Sequence, residues 1–324
     1  MGEFELIARH FARPTQRAVV GPGDDCAVIA PRAGHRLAVS CDMLVEGRHF
    51  LPTVDARRLG HKALAVNLSD LAACGAEPLA CTLALALPRP DAAWLEAFAG
   101  GLHALAERHG CELVGGDTTC GPLNLCITVF GEVGDGRAAP GAILRSGARA
   151  GDDLWVSHAP QGGLGDARLA LEVFRGTVAL EGTAFERVRR AMECPEPRVA
   201  LGVALRGLAG AAIDVSDGLT GDLGHLLRAS AVGATLEADA LPRSAELAAQ
   251  PLALQRLCTL AGGDDYELVF TVPAGRRAEV EAAAAQAGCA VRRVGRIEAE
   301  PGLRIVDQAG GPLEGAWPSF DHFA

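Results

Sequence analysis

Two patterns of apolar and polar residues run through the chain, and they predict strands and helices that follow one another along its length. Short runs of β-branched and aliphatic residues predict strands at 37–40, 79–87, 123–133, 153–157, 211–215, 266–272 and 291–297. Alanine-rich amphipathic stretches predict helices at 56–74, 91–109, 164–174, 197–208, 217–229 and 275–287. Because helices with one apolar face pack on sheets, the pattern predicts an α+β (mixed α/β) fold.

A glycine-rich polar segment, "RSGARAGDDLWVS", separates the predicted strand at 123–133 from the strand that follows it. Segments of this composition are typical of domain boundaries. The chain has 324 residues, of which 49% are hydrophobic, and this is enough apolar material for two cores. We therefore predict an N-terminal domain at 1–146 and a C-terminal domain at 147–324.

Charge and cysteine content narrow the range of partners and locations. The formal net charge is −10, whereas binding to nucleic acid or to an anionic membrane needs a basic surface. The start of the chain lacks the features of a signal peptide, and no apolar run is long enough to span a membrane. The ten cysteines form no Cys-x-x-Cys pair, and we interpret them as reduced thiols. These features predict a cytoplasmic protein that binds neither nucleic acid nor membranes.

Aspartates recur where predicted strands meet turns. They occur in "GPGDDCA", "SCDMLVEGRHF", "NLSDLAACGA", "GGDTT", "IDVSDGLTGDL" and "GGDDYEL". Each motif alone is typical of a turn or of a helix N-cap. Several of them end an apolar strand, however, where an unpaired charge would be costly to bury. The whole set therefore indicates a shared site more than a series of separate caps.

Carboxylates that share a site repel one another unless cations lie between them. Mg²⁺ fits best, because it prefers oxygen ligands and leaves part of its shell to substrate phosphates. The Asp-x-Asp-x-Asp-Gly loop of calcium sites is absent, and the nine histidines are dispersed. The chain also has no Walker motif, no Gly-x-Ser-x-Gly element and only one lysine, Lys62. These observations favour metal-assisted phosphoryl transfer.

The motifs, taken in order, resemble those of the thiamine-monophosphate kinase family, within the aminoimidazole ribonucleotide synthetase-like superfamily. The elements that carry the resemblance are "GPGDDCAV", "SCDMLVEGRHF", "KALAVNLSDLAACGAEP", "LVGGDTT", "RSGA", "IDVSDGL", "GGDDYEL" and "WPSFDHF". It implies a two-domain fold, with an N-terminal sheet domain that binds metal and ATP and forms a homodimer. A C-terminal α/β domain would complete the nucleotide and substrate site.

The resemblance also implies the reaction, in which ATP and thiamine monophosphate give ADP and thiamine diphosphate. No general base is expected, because a phosphate acceptor is largely ionised near neutral pH. The difficulty of the reaction is instead that two polyanions must come together, and metal ions address it.

Roles for individual residues follow from the resemblance. Several Mg²⁺ ions would be held by oxygen atoms of Asp25, Ser40, Cys41, Asp42, Asp70, Asp117, Asp214 and Asp217. Cys41 would contribute its backbone carbonyl. ATP would be bound by Asp117, Arg145 and Ser216, and by Gly116, which would allow close approach of the nucleotide. Thiamine monophosphate would be bound by His49, Asp264 and Phe320, because a carboxylate and an aromatic face suit its cationic thiazolium ring. Asp24 is less favoured than Asp25, because neighbouring side chains of an extended segment point apart.

Two positions depart from the family pattern. Cysteine stands at position 41 where threonine is usual, and aspartate stands at position 264 where glutamate is usual.

Three other functions remain open on the sequence alone. They are another ATP-using enzyme of the superfamily that acts on a different phosphate or amide, a metal-dependent phosphatase or hydrolase that needs no ATP, and a nucleotide sensor without catalysis.

Overall fold

The computed structural model describes residues 2–137, 139–315, 317–321 and 323. The strands are β1 (His35–Val45), β2 (Glu77–Leu87), β3 (Glu112–Cys120), β4 (Asn124–Gly134), β5 (Asp152–His158), β6 (Ala211–Asp214), β7 (Gly233–Glu237), β8 (Leu268–Pro273), β9 (Ala290–Glu298) and β10 (Gly302–Val306). The α-helices are α1 (Glu3–His10), α2 (Ala56–Ala73), α3 (Ala92–His109), α4 (Asp166–Phe174), α5 (Gly182–Glu193), α6 (Val199–Ala204), α7 (Leu219–Ser230), α8 (Ala245–Ala248), α9 (Leu252–Ala261) and α10 (Arg277–Gln286).

The chain divides into two compact units. The N-terminal unit comprises Met1–Leu71 and Ala76–Gly141, and the C-terminal unit comprises Ala72–Gly75 and Ala142–Ala324. Each unit is built on one sheet. In the N-terminal unit the strand order is β1-β4-β2-β3, and in the C-terminal unit it is β10-β7-β9-β5-β8-β6.

The sheet of the N-terminal unit is mixed. Strand β4 is antiparallel to both β1 and β2, whereas β3 is parallel to β2. Helix α3, between β2 and β3, begins at Asp91, whose side chain accepts hydrogen bonds from the amides of Ala93 and Trp94, and this is a favourable N-cap. Helices α2 and α3 touch at the backbone, because a Cβ on Gly101 would lie 1.8 Å from the carbonyl oxygen of Arg57.

Strand β1 forms one edge of this sheet and exposes apolar side chains. Leu37, Val39 and Met43 are 40%, 59% and 53% exposed, and all three lie on the same face because side chains alternate along a strand. The intervening residues Ser40 and Asp42 are half-buried. We call the surface formed by Leu37, Val39 and Met43 the apolar face of β1.

The C-terminal unit has a buried core between its sheet and its helices. Leu154 on β5, Val269 on β8 and Leu223 on α7 are fully buried in one cluster. Strand β6, a buried edge strand of this sheet, ends at Asp214, and α7 begins at Leu219, so a short connection joins the strand to the helix. Connections of this kind hold functional side chains on a rigid scaffold.

The predicted mixed α/β fold is confirmed, and most long elements lie where the pattern placed them. Strand β3 was not predicted, because Gly115 and Gly116 have low strand propensity and were interpreted as a turn. Consequently, the interpretation of "GGDTT" and "SCDMLV" as strand-to-turn junctions was wrong, since Asp117 lies within β3 and Asp42 within β1. Within the described ranges, no helix is long and apolar enough to cross a membrane.

Candidate active site

The glycine-rich turn at residues 21–25 presents two aspartates to the surface. Val20 and Val28 pair as an isolated antiparallel bridge and bring the ends of the turn together. Asp24 Oδ1 accepts a hydrogen bond of 2.8 Å from the amide of Asp25, so Asp24 shapes the turn. Asp25, the next residue, is also exposed. The hydrogen bond gives Asp24 a local structural role, and the preference for Asp25 over Asp24 as a ligand stays a prediction.

Gly116 and Asp117 lie in the middle of β3. Gly116 has a φ of +146°, and a Cβ there would lie 1.9 Å from the carbonyl oxygen of Leu83 on β2. The absence of a side chain is therefore required by the packing of β3 on β2. The close approach of a nucleotide to Gly116, which the resemblance implies, stays a prediction. Asp117 follows with its side chain exposed.

A cavity of about 520 Å³ in the N-terminal unit brings these two segments together. Its walls include Asp24 and Asp25 from the turn and Gly116 and Asp117 from β3. Its volume is in the range of small-molecule sites. The described side chains that line it include no lysine, arginine or histidine, so the cavity is acidic and has no cationic group of its own.

A second group of predicted residues lies between β1 and α2. Ser40 Oγ on β1 donates a hydrogen bond of 2.5 Å to Asp70 Oδ2 on α2. One turn earlier on α2, Asn67 Oδ1 accepts the amide of Asp42 at 3.0 Å, and Asn67 Nδ2 donates to the carbonyl of Ala63. Asn67 thus fixes the backbone at Asp42, and it was not identified from the sequence.

Cys41 lies on the opposite face of β1 from Ser40 and Asp42. Its Sγ is 3.2 Å from Cys126 Sγ on β4, and Thr128 Oγ1 donates to it at 3.4 Å. Because neighbouring side chains of a strand point apart, the thiol of Cys41 is directed away from Asp42. Only its backbone carbonyl could join Ser40 and Asp42 at a metal ion, and that role stays a prediction.

The sheet does not bring Asp42 and Asp117 together. Across the four strands, Asp42 is level with Ile127, Ile127 with Leu83, and Leu83 with Gly116. Asp42 and Gly116, the residue before Asp117, therefore lie on the two outer strands. Three strand spacings, or about 14 Å, separate them. The two carboxylates cannot hold one ion within this sheet.

His49 lies in the turn that follows β1. Its Nδ1 accepts the amide of Val45 at 3.0 Å, so the neutral ring carries its proton on Nε2. The carbonyl of His49 accepts a hydrogen bond from Lys62 Nζ at 3.3 Å, and Lys62 is buried in α2. The only lysine of the chain therefore supports this turn. Phe50, the next residue, is buried.

In the C-terminal unit, the connection between β6 and α7 holds Asp214, Ser216 and Asp217. The amides of Ser216, Asp217 and Gly218 all donate to Asp222 Oδ2, each at 3.1 Å. Burial raises the pKa of Asp222 to about 6, against the opposing effect of these amides. Asp222 was not singled out from the sequence, because it is the sixth residue of the helix predicted at 217–229, whereas in the structure it lies in the first turn of α7.

The loop before β8 packs directly on this connection. The amide of Asp264 donates to the carbonyl of Ser216 at 2.7 Å, and the amide of Tyr266 donates to the carbonyl of Val215 at 2.8 Å. Asp264 has a left-handed backbone with φ +69°. Its neighbour Asp265 accepts the amide of Gly165 at 2.9 and 3.1 Å, and burial raises the pKa of Asp265 well above its usual range.

Phe320 joins the same region. Its amide donates to the carbonyl of Asp217 at 2.9 Å. The residue is 48% exposed. Thr220 Oγ1 also donates to the carbonyl of Trp317 at 2.8 Å. The C-terminal unit thus brings Ser216, Asp217, Asp264 and Phe320 together.

Arg145 is not brought to this group within the C-terminal unit. Its carbonyl accepts a hydrogen bond from Ser230 Oγ at 2.9 Å, and Ser230 is the last residue of the 12-residue helix α7. Ser216 precedes the first residue of that helix, so the two backbones lie about 18 Å apart along it. A role for Arg145 at the ATP phosphates remains a prediction.

Metal binding at these positions would need additional ligands. Among the residues that the structure describes, no three Asp, Glu, His or Cys side chains form a group able to hold a metal ion. Serine hydroxyl, backbone and carboxylate oxygens are nevertheless concentrated at these places. An ion bound here would complete its shell with oxygens from water or from a ligand, as Mg²⁺ commonly does.

Known proteins resemble the chain over its whole length. The family described as AIR synthase related protein matches with its N-terminal domain at residues 23–133 and its C-terminal domain at 149–308. Thiamine-monophosphate kinase of Salmonella typhimurium is 44% identical over 100% of this chain and 98% of its own length. The crystal structure of thiamine-monophosphate kinase from Stenotrophomonas maltophilia K279a is 43% identical, covers 96% of both chains and has a TM-score of 0.84.

A further solved structure, AaThiL complexed with AMPPCP and TMP, is 27% identical, with a TM-score of 0.75 over 91% of this chain and 89% of that one. The similarity is therefore not confined to single motifs, and it includes both units described above. The chain belongs to the AIR synthase related family and, within it, to the thiamine-monophosphate kinases.

Proposed function

We propose that the chain transfers the γ-phosphoryl group of ATP to thiamine monophosphate in the presence of Mg²⁺, giving thiamine diphosphate and ADP. The observation that carries this is the acidic cavity of the N-terminal unit, which Asp25 and Asp117 both line, with no cationic side chain among the described lining residues. A polyphosphate is repelled by such a cavity unless metal ions enter with it. AaThiL, a relative, is known in complex with AMPPCP and TMP.

Two places in the N-terminal unit suit Mg²⁺. Asp25 and Asp117 would contact ions at the cavity, and Asp42, Asp70 and Ser40 would contact ions between β1 and α2. In the C-terminal unit, Asp214 and Asp217 would supply the remaining carboxylates. When bound, the ions would neutralise the charge on the transferring phosphoryl group.

The protein's own residues would then position the reactants. The backbone of Ser216 is fixed by Asp222 and by the amide of Asp264, and its hydroxyl would donate to a nucleotide phosphate. Arg145 would contact a phosphate with its planar, permanently charged guanidinium. No residue is needed to remove a proton, because the acceptor phosphate is largely ionised near neutral pH.

Thiamine monophosphate would be recognised by charge and by an aromatic face. Asp264 and the exposed ring of Phe320 lie in one region of the C-terminal unit, and together they suit a cationic thiazolium. His49 would donate from Nε2, because its Nδ1 already accepts the amide of Val45. Asp264 is one methylene shorter than the usual glutamate, so we expect a bridging water or a slightly shifted substrate.

The test is ADP formation from ATP and Mg²⁺, with thiamine monophosphate, thiamine or no acceptor. We expect turnover with the monophosphate alone. Asp70→Asn should reduce kcat by at least about 100-fold, because it removes a charge next to Ser40 that assists an ion at the phosphates.

Asp91→Asn is the matched control, because Asp91 caps α3 and asparagine is an equally good cap. It should leave kcat within about 2-fold of the original value. Phosphate release without an acceptor would favour a phosphatase and would contradict the proposal.

We also propose that two copies associate through the apolar face of β1. Exposed Leu37, Val39 and Met43 on an edge strand are costly to leave in water. Val39→Glu should shift sedimentation from a dimer to a monomer, while Val19→Glu, at an exposed valine outside β1, should not. We also propose a cytoplasmic location, because the ten cysteines, all within the described residues, form no disulfide.

A further inference from the structure

The two ends of the loop that carries the glycine-rich turn are joined by one carboxylate. The loop comprises residues 17–32, with Arg17 at one end and Arg32 at the other. Both guanidinium groups contact Glu132 Oε2 on β4, Arg17 Nη2 at 3.2 Å and Arg32 Nε at 2.6 Å. The amide of Arg32 also donates to Glu132 Oε1 at 2.9 Å. One side chain therefore closes the base of the loop.

The carboxylate of Glu132 depends on these two partners. The side chain of Glu132 is 1% exposed, whereas those of Arg17 and Arg32 are 37% and 51% exposed. A buried charge is costly unless it is paired and hydrogen-bonded. Buried ion pairs often add little net stability compared with apolar side chains of the same size, but they do fix geometry. Both arginines can stay on Glu132 only while the two ends of the loop remain together.

The closed base supports the part of the loop that reaches the acidic cavity. Beyond the base, the amide of Val28 donates to the carbonyl of Val20 at 2.9 Å, and the amide of Val19 donates to the carbonyl of Val28 at 2.8 Å. Ile29 packs on a cluster of residues from β2 and β3. A two-stranded pairing as short as this one is marginally stable in water by itself. The position of Asp25, at the tip of the loop, therefore depends on closure at the base.

The N-terminal end of the loop has a further anchor on β3. Glu112, the first residue of that strand, accepts the amides of Gln16 at 2.6 Å and Arg17 at 3.0 Å. Asp117 lies on the same strand, five residue steps or about 17 Å further on. One end of the loop is thus fixed to the strand that carries Asp117, and Glu132 brings the other end to it.

We propose that Glu132 is a positioning residue for the acidic cavity, because it closes the base of the loop and so holds Asp25 at the cavity that Asp117 also lines. The inference rests on the proposed function, since it takes the Mg²⁺ complex of ATP as the ligand. Glu132 is not among the described residues that line the cavity, so it acts through the loop. A misplacement of about 1 Å in a site of this kind can cost about 100-fold in rate.

The first measurement is calorimetric binding of the Mg²⁺ complex of β,γ-methylene ATP to the full chain. Glu132→Gln keeps the size of the side chain and removes the charge that holds the two arginines together. It should raise the Kd by at least about 10-fold. Glu77→Gln is the matched control, because Glu77 pairs with Arg32 at 2.6 Å near the surface, and its loss leaves both arginines on Glu132. The control should keep the Kd within about 2-fold.

The second measurement is hydrogen exchange, which reports the position of the loop without any ligand. In Glu132→Gln, the amides of Val19, Val20 and Val28 should exchange at least about 10-fold faster, because the loop opens more often. The amides of α3 are the internal reference and should keep their wild-type rates. An equal acceleration in α3 would show general destabilisation and would contradict a role specific to the loop.

Arg17→Gln keeps the proposal testable if Glu132→Gln does not fold. Its side chain is partly exposed, and its removal leaves Arg32 on Glu132. The variant should raise the Kd of the analogue by about 3-fold, and it should add less than about 2-fold to the effect of Glu132→Gln, because both changes break the same contact. An unchanged Kd in Glu132→Gln, or equal losses in Glu132→Gln and Glu77→Gln, would overturn the proposal.

Failure of the proposed function would be seen separately. If Glu132→Gln weakens binding of the analogue but the wild-type chain does not phosphorylate thiamine monophosphate, the positioning role stands and the kinase assignment fails. If the wild-type chain phosphorylates thiamine monophosphate and Glu132→Gln keeps the wild-type KM for ATP, the positioning role fails and the kinase assignment stands.

Discussion

Two aspartate pairs in this protein have the same dipeptide sequence and opposite arrangements. In the pair Asp24 and Asp25, the first residue accepts the amide of the second, which is exposed. In the pair Asp264 and Asp265, the second residue accepts the amide of Gly165, while the first lies half-buried in a left-handed conformation. In each pair one carboxylate accepts a backbone hydrogen bond, and the other is the one for which a ligand is proposed.

The difference shows that the function of an aspartate in these loops depends on where the nearby amides point. A carboxylate that already accepts backbone hydrogen bonds is stabilised in place and contributes to the fold. Asp24 and Asp265 accept backbone amides and therefore contribute to the fold. The ligand roles proposed above concern the other member of each pair, Asp25 and Asp264.

The largest effect is expected in the first pair. Asp25→Asn should lower kcat/KM for ATP by at least about 100-fold, because it removes a charge that faces the metal-bound phosphates. Asp24→Asn should lower it by less than about 5-fold, because the amide oxygen of asparagine can still accept the hydrogen bond of residue 25. Steady-state kinetics at several Mg²⁺ concentrations provide the measurement. Equal losses in the two variants would contradict the comparison.

In the second pair, the order of the two residues is reversed and stability is the main readout. Asp265→Ala should reduce the free energy of unfolding by about 2 kcal/mol, because the amide of Gly165 loses its partner in a partly buried place. Asp264→Asn should hardly change stability, because asparagine tolerates a left-handed backbone. It should instead raise KM for thiamine monophosphate by about 5-fold. Urea unfolding and initial rates distinguish the two outcomes.

The smallest effect concerns pH. Burial holds the pKa of Asp265 above its value in the unfolded chain, so ionisation of this carboxyl costs stability as pH rises above about 4. Asp265→Asn keeps the acceptor and removes the ionisation. The variant should therefore gain stability relative to wild type between pH 4 and pH 8, and the difference should vanish at the acid end. A relative loss at pH 8 would show that the ionised form is favoured by its surroundings.

Much of the fold could be predicted from the sequence, because its long helices and central strands carry clear periodicity. Helix α3 has an aspartate cap and a C-terminal glycine in addition to its pattern, and its predicted start is within one residue. Strand β3 was missed, because its two glycines carry no pattern of their own and the strand is defined by pairing with β2. Pairing between distant segments is not visible in a local window.

The geometry around the candidate residues was less predictable than the fold. The interpretation of the acidic motifs as strand-to-turn junctions was wrong for Asp42 and Asp117, which lie within strands. The support given by Asn67 and Asp222 was not identified, because a polar residue inside a predicted helix is more often on a solvated face. The distance between Arg145 and Ser216 was also not predictable from the sequence. The backbone of Arg145 lies at the C-terminal end of α7, and Ser216 lies before its N-terminal end.

The burial of Lys62 has a practical consequence for chemical labelling. This residue supplies the only side-chain amine of the chain, and its ammonium group is held within α2 at the carbonyl of His49. A reagent specific for amines can reach it only when the region around α2 opens. The rate at which Lys62 becomes labelled would therefore report local opening beneath β1, with no background from other lysines.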